Sequence, residues 1–91
     1  MMRGDRWVRR GDVLWRQTAG TVLVLAPGAD QPVALTGPGV AIWHLLTVPM
    51  TTHAIVSCMA DLYRDPARRM AEDVNRLLAA MATQHLLEQS S

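Results

Sequence analysis

Apolar residues alternate or run together in the first third of the chain and recur at helical spacing in the rest. Residues 13–18, VLWRQT, and 21–27, TVLVLAP, are β-rich runs around Ala19-Gly20, which predicts a hairpin. Pro27-Gly28-Ala29-Asp30 is a second turn signal. It leads into QPVALT, residues 31–36, a short third strand whose Pro32 lacks an N–H and so belongs near a strand start or on an edge. After Thr36 the period lengthens to about 3.6. Thr36 is expected as an N-cap with Pro38 in the first turn, and Val40, Trp43 and Leu46 share one face of the helix that follows. That helix should stop near Thr47, because Pro49 disfavours helical geometry at Val48. Thr51 or Thr52 caps a second helix with the stripe Ile55, Met59, Leu62 and Tyr63. Asp65-Pro66 opens a third, which carries Met70, Val74, Leu77, Leu78 and Met81 on one side and runs to about Gln84.

The order β-β-β-α-α-α predicts an α+β fold, a three-stranded antiparallel sheet followed by three helices packed on one of its faces. Residues 12–88 read as a single domain. Residues 1–11, with Arg3, Arg6, Arg9 and Arg10 in no period, read as a flexible basic arm, and residues 89–91 as a frayed tail. A chain of 91 residues has room for one modest core, and 49% hydrophobic with 19% charged residues is ordinary globular composition. Nine arginines, no lysine and eight carboxylates leave a formal charge of +1, so no overall field draws the chain to nucleic acid or anionic lipid. One cysteine, Cys58, makes no internal disulfide, and nowhere do about 18 apolar residues run together. These features predict a soluble cytoplasmic protein.

Catalytic chemistry finds little support. His44, His53 and His85 fall on three different predicted helices without ligand spacing, which argues against a metal. Cys58 sits mid-helix and reads as a small buried hydrophobe, Gly37 and Gly39 flank a proline in a helix start rather than forming a phosphate cradle, and Glu72-Asp73 reads as a solvated helix face. The expectation is a protein that is not an enzyme and holds no cofactor. The sheet is then the surface of interest. In strand order 1-2-3 the third strand is outermost, short and uncharged after Asp30, and such an edge invites an added peptide strand.

The strand runs are followed by LTGPGVAIWHLL at 35–46 and by a threonine-led helix, Thr51-Thr52, that closes in Leu62-Tyr63. EDVNRLLAAM at 72–81 and HLLE at 85–88 come next. The ordered set resembles the PqqD-like family, the RiPP recognition elements, over about Val13 to Glu88. The resemblance implies a winged-helix-like fold and a non-catalytic peptide chaperone of natural product biosynthesis. Such a protein binds the leader of a ribosomally made precursor peptide and presents it to a maturation enzyme, whether a radical enzyme, a cyclase or a leader peptidase. It further implies that the leader adds to the third strand, here Val33, Ala34, Leu35 and Thr36, and packs on the third helix, here Asp73, Val74, Arg76, Leu77 and Met81. Two positions depart from the family pattern: His85 stands where glycine is usual, and Val48-Pro49 where a short Asp-Gly turn is common.

Two other readings compete. A winged-helix DNA binder would read with the third helix, near which lie Arg64, Arg68, Arg69 and Arg76, but Asp61, Asp65, Glu72 and Asp73 interleave with them and cancel most of the field. A structural module would pair its edge strand with that of a second copy, giving a homodimer. Arg68, Arg69 and Arg76 beside Val33 and Leu35 suit an acidic leader bearing leucine or aromatic residues.

Overall fold

The computed structural model describes residues 6–90, and the elements in chain order are β1 (Arg6–Arg9), β2 (Leu14–Thr18), β3 (Thr21–Leu25), β4 (Val33–Leu35), α1 (Pro38–Leu45), β5 (Met50–Thr51), α2 (Thr52–Tyr63), α3 (Ala67–Thr83) and β6 (Leu87–Ser90). The fold is α+β, and the predicted sheet is present in the order β2-β3-β4, all antiparallel. Ala19 (φ 43°) and Gly20 (φ 82°) make the two-residue hairpin loop with both central residues at positive φ, the geometry that matches the right-handed strand twist. Cross-strand pairing puts Trp15, Gln17, Val22, Val24, Val33 and Leu35 on one face of this sheet. Val22, Val24 and Leu35 are buried there against the helices.

A second sheet, β5-β1-β6, was not legible in the sequence. It corrects the flexible arm over residues 6–11: Arg6 to Arg9 pair with Ser90 to Leu87, and Arg9 and Arg10 donate main-chain N–H groups to Leu46 and Leu86 at 3.2 and 3.0 Å. The same pairing corrects the frayed tail over 89–90. Met1 to Asp5 of the expected arm and Ser91 of the expected tail lie outside the described residues. The arginines themselves anchor the segment. Arg9 is half-buried between Trp15 and Trp43, its guanidinium carbon 4.8 and 4.7 Å from their ring centroids, and burial holds it below the usual arginine pKa range. Arg10 binds Asp12 through two hydrogen bonds of 3.0 and 2.8 Å.

The helices stand where the period placed them, with different ends. Gly37, at φ 54°, is the N-cap of α1 and makes no side-chain cap bond, so Thr36 is not the cap: its carbonyl accepts from Gly39 N–H instead. Thr51 caps α2 as expected, accepting from Ala54 N–H at 3.1 Å. Asp65 does not cap α3. Its N–H returns to the Ala60 carbonyl to close α2 behind Arg64, which lies in the left-handed region, and Pro66 takes the N-cap position. The α2 stripe is Ile55, Val56 and Met59, while Leu62 and Tyr63 are exposed, and so is Cys58, which falls off the buried face and is not the buried hydrophobe expected. α3, about 26 Å long at 1.5 Å per residue, buries Met70, Val74, Leu78 and Met81. Trp43 is fully buried at the centre of the core with Ile42, Leu46 and Leu86. Among the described residues no helix is long and apolar enough to cross a membrane.

Candidate functional site

The hairpin fixes which main-chain groups the sheet leaves free. A two-residue loop makes Thr18 and Thr21 its hydrogen-bonded closing pair. Antiparallel pairs then alternate, so Thr21, Leu23 and Leu25 direct their N–H and C=O groups to β2, while Val22 and Val24 direct theirs to β4. There they meet Leu35 and Val33. Leu23 lies opposite Ala34 in a pair without hydrogen bonds, so the N–H and C=O of Ala34 point away from the sheet, at its free edge. Pro32, two residues earlier, faces the same way with no N–H to leave unpaired, as proline in an edge strand should. Thr36, two residues later, presents its N–H at that edge, while its carbonyl is engaged by Gly39.

Beyond the end of β4, a shallow hollow of about 240 Å³ is lined by Pro38 of α1 and by Asp73, Arg76 and Leu77 of α3. Asp73 and Arg76 are paired to each other one helical turn apart. The residues named from the sequence therefore divide. Ala34 and Thr36 are exposed at the strand edge, Val33 is half-buried, and Asp73, Arg76 and Leu77 come together on the hollow. Leu35, Val74 and Met81 are buried in the core, so their side chains do not line this surface. Packing splits the stripe that the period places on one side of α3: Val74 and Met81 turn inward while Leu77 stays on the flank. Pro38 was missed as a lining residue, because in the sequence it reads only as a helix-start signal.

On the other flank of the buried stripe, α3 and α2 enclose a larger groove of about 870 Å³ whose lining includes Ala60, Ala67 and Ala71, with His53, Asp61 and Arg68 among its polar residues. His44 contacts the Gln17 side chain at 2.9 Å. Among the described residues no three of His, Cys, Asp and Glu are placed to hold a metal ion.

The family model for coenzyme PQQ synthesis protein D (PqqD) matches residues 21–87, from β3 to the start of β6. This chain belongs to the PqqD family. The match takes in β4, α3 and the hollow between α1 and α3, and leaves β1 and β2 outside it. Two solved structures have the same fold. TbiB1, in complex with the TbiA(beta) leader peptide, superposes with a TM-score of 0.80 at 23% identity, covering 92% of this chain and 98% of its own. The PqqD truncation of Methylobacterium extorquens PqqCD, a functional and stand-alone RiPP recognition element solved by NMR, gives a TM-score of 0.75 at 22% identity, covering 93% of this chain and 90% of its own. A comparison with curated proteins found no match.

Proposed function

We propose that this PqqD-family protein is a RiPP recognition element. It binds the leader of a ribosomally synthesised precursor peptide and presents it in the cytoplasm to a modifying enzyme, performing no chemistry alone. The leader adds as a strand at the free edge of β4 and lays alternate side chains toward Leu77 and the hollow shared by Pro38, Asp73 and Arg76. The observation that carries this reading is the outward-facing main chain of Ala34, at a sheet edge with no charged residue between Pro32 and Thr36 and four residues ahead of Pro38, which opens the hollow. The complex of TbiB1 with a leader peptide and the recognition-element character of the M. extorquens PqqD domain support it from the side of the fold.

Energetics set what the edge supplies. Ala34 N–H and C=O, Thr36 N–H and Pro32 C=O provide four main-chain hydrogen bonds at a net ~0.5–1.5 kcal/mol each. Ordering a flexible peptide offsets most of that, so side chains in the hollow must supply the remainder of an expected about −8 to −10 kcal/mol, micromolar to tens of nanomolar. Titration calorimetry of the protein with the leader of the precursor encoded beside its gene tests this. The expected result is one-to-one binding in that range, weakened about tenfold or more by Ala34→Pro, which deletes the edge N–H and sets the proline ring against the incoming strand while leaving the β3 pairing in place. No heat at about 100 μM leader, or undiminished binding by the folded Ala34→Pro variant, overturns the reading.

A further inference from the structure

The outer face of the β2-β3-β4 sheet carries no covering element among the described residues, yet its end away from the hairpin loop, beyond Thr18 and Thr21, is largely apolar. Leu14 and Leu25 lie opposite one another on it, Leu23 lies beside them, and Leu14 is 72% exposed. An antiparallel sheet with one wet face ordinarily carries polar residues there, but Val22-Leu23-Val24-Leu25 is apolar on both. A hollow of about 230 Å³ opens on this face, lined by Leu14, Arg16, Leu23, Leu25 and Pro32 with the edge of Trp15.

The size of the face limits its occupant. Two strands of five residues and one of three, at about 3.4 Å per residue and about 4.8 Å apart, give a footprint of roughly 210 Å². Stable interfaces between folded proteins need about 800 Å² from each partner, so neither a second copy nor a docking domain is held by this face alone. A single large side chain is a better fit. Register says where it comes from: Ala34, Leu23 and Arg16 form one row across the outer face, with Ala34 at the free edge. A strand added beside β4 would run about 9.6 Å from β3, and the Ala34 methyl fills little of that gap.

Given strand addition at β4, the geometry points to two-sided reading of the leader. The leader residue opposite Ala34 is a large apolar one whose side chain crosses the Ala34 methyl onto Leu23 at the margin of the outer hollow. The residues before and after it point to the opposite face, toward Leu77. Specificity is thus shared between the helix side and a bare sheet face, and Ala34 is small because that side chain passes over it.

The test uses the full chain and a fluorescein-labelled synthetic leader from the adjacent precursor gene, read by fluorescence polarisation, with circular dichroism to establish that each variant is folded. Ala34→Leu, which fills the gap but keeps the N–H, and Leu23→Thr, which removes the apolar partner, are each expected to weaken binding at least fivefold. An alanine scan of the leader should find one position whose substitution costs binding to the wild type and little further binding to Leu23→Thr, the signature of direct contact. If Ala34→Pro weakens binding about tenfold or more while Ala34→Leu and Leu23→Thr bind within twofold of wild type, strand addition stands and the two-sided reading is overturned. If Ala34→Pro binds like wild type, strand addition itself fails. Ala34→Leu changes an exposed edge position, so it keeps the test decisive even where Leu23→Thr does not fold.

Discussion

Arg9 Nε donates to the main-chain oxygen of Trp43 at 2.8 Å, joining residues 34 apart in the chain, with the guanidinium carbon 4.7 Å from the Trp43 ring centroid. The Trp15 ring lies 4.8 Å from the same carbon, inclined 73° to the Trp43 ring in an edge-to-face pair with centroids 5.8 Å apart. Arg9 has no ion pair with an acidic side chain among the described residues, so two indole rings, the Trp43 carbonyl and the Thr47 hydroxyl, which accepts from Nη2 at 3.4 Å, compensate a half-buried charge. This contact makes the β5-β1-β6 sheet part of the core rather than an appendage.

Arg9→Ala is therefore expected to destabilise the protein by about 2–3 kcal/mol, summing a charge-assisted hydrogen bond and two cation–π contacts. Urea unfolding read by tryptophan fluorescence measures it. Arg9→Lys should recover less than half of the loss, since an ammonium keeps the charge but not the planar fork that bonds the carbonyl while stacking. Arg6→Ala, at an exposed strand end, should change stability by less than about 0.5 kcal/mol.

His85 ends α3 in a position that favours glycine. Its φ is 63°, its N–H bonds the Ala82 carbonyl at 3.0 Å, and the Leu86 N–H bonds the Met81 carbonyl at 3.0 Å, the two bonds of a Schellman close. A side chain there costs about 1–2 kcal/mol that glycine avoids, partly offset by the greater freedom of glycine in the unfolded chain. His85→Gly should stabilise by about 0.5–1 kcal/mol and raise Tm by roughly 2–8 °C, by differential scanning calorimetry. An unchanged or lower Tm would mean that the histidine side chain makes contacts worth the strain.

The sheet and the helices could be read in the sequence because their signals are local. Ala19-Gly20 predicts its hairpin, Thr51 its cap, and Met70, Val74 and Leu78 their helical face within a few residues of chain. The β1–β6 pairing brings Arg6 opposite Ser90, so no local window contains it, and an arginine stacked between tryptophans has the same letter as one in solvent. The candidate site was legible to the same degree. Its strand was found, but the side of β4 that bears free N–H groups depends on the parity of the hairpin register. Whether Val74 or Leu77 faces the hollow depends on how α3 packs, which periodicity alone leaves open.

The register yields a contrast between neighbours. Leu35 directs its N–H to Val22 and its side chain into the core, so Leu35→Pro should cost about 3 kcal/mol or more and abolish cooperative unfolding at ordinary temperature. Ala34→Pro loses only an edge donor and should stay within about 1 kcal/mol of wild type. Chemical denaturation of the two variants decides it. Equal destabilisation would mean that the hydrogen-bonding sides of β4 are assigned the wrong way round.

The pairing of Asp73 with Arg76 predicts how charge in the leader is read. Both line the hollow beside Leu77, and while Arg76 is held by Asp73 the local field is close to neutral. Asp73→Asn frees the guanidinium for a leader carboxylate. The pair is largely solvent-exposed, so the gain is that of a surface ion pair, about 0.4–1 kcal/mol, or roughly two- to fivefold tighter binding of an acidic leader. Near 1 M salt, where the Debye length is about 3 Å, the gain should vanish. In the native background Arg76→Ala should change affinity less than about twofold, because an arginine already paired has little to give. In the Asp73→Asn background the same change should remove the whole gain. Calorimetry at low and high salt with an acidic leader and its amide-substituted analogue separates charge from contact. A gain of equal size for the uncharged analogue would mean that Arg76 does not meet the leader, and that the helix side of the groove is read through Leu77 and Pro38 alone.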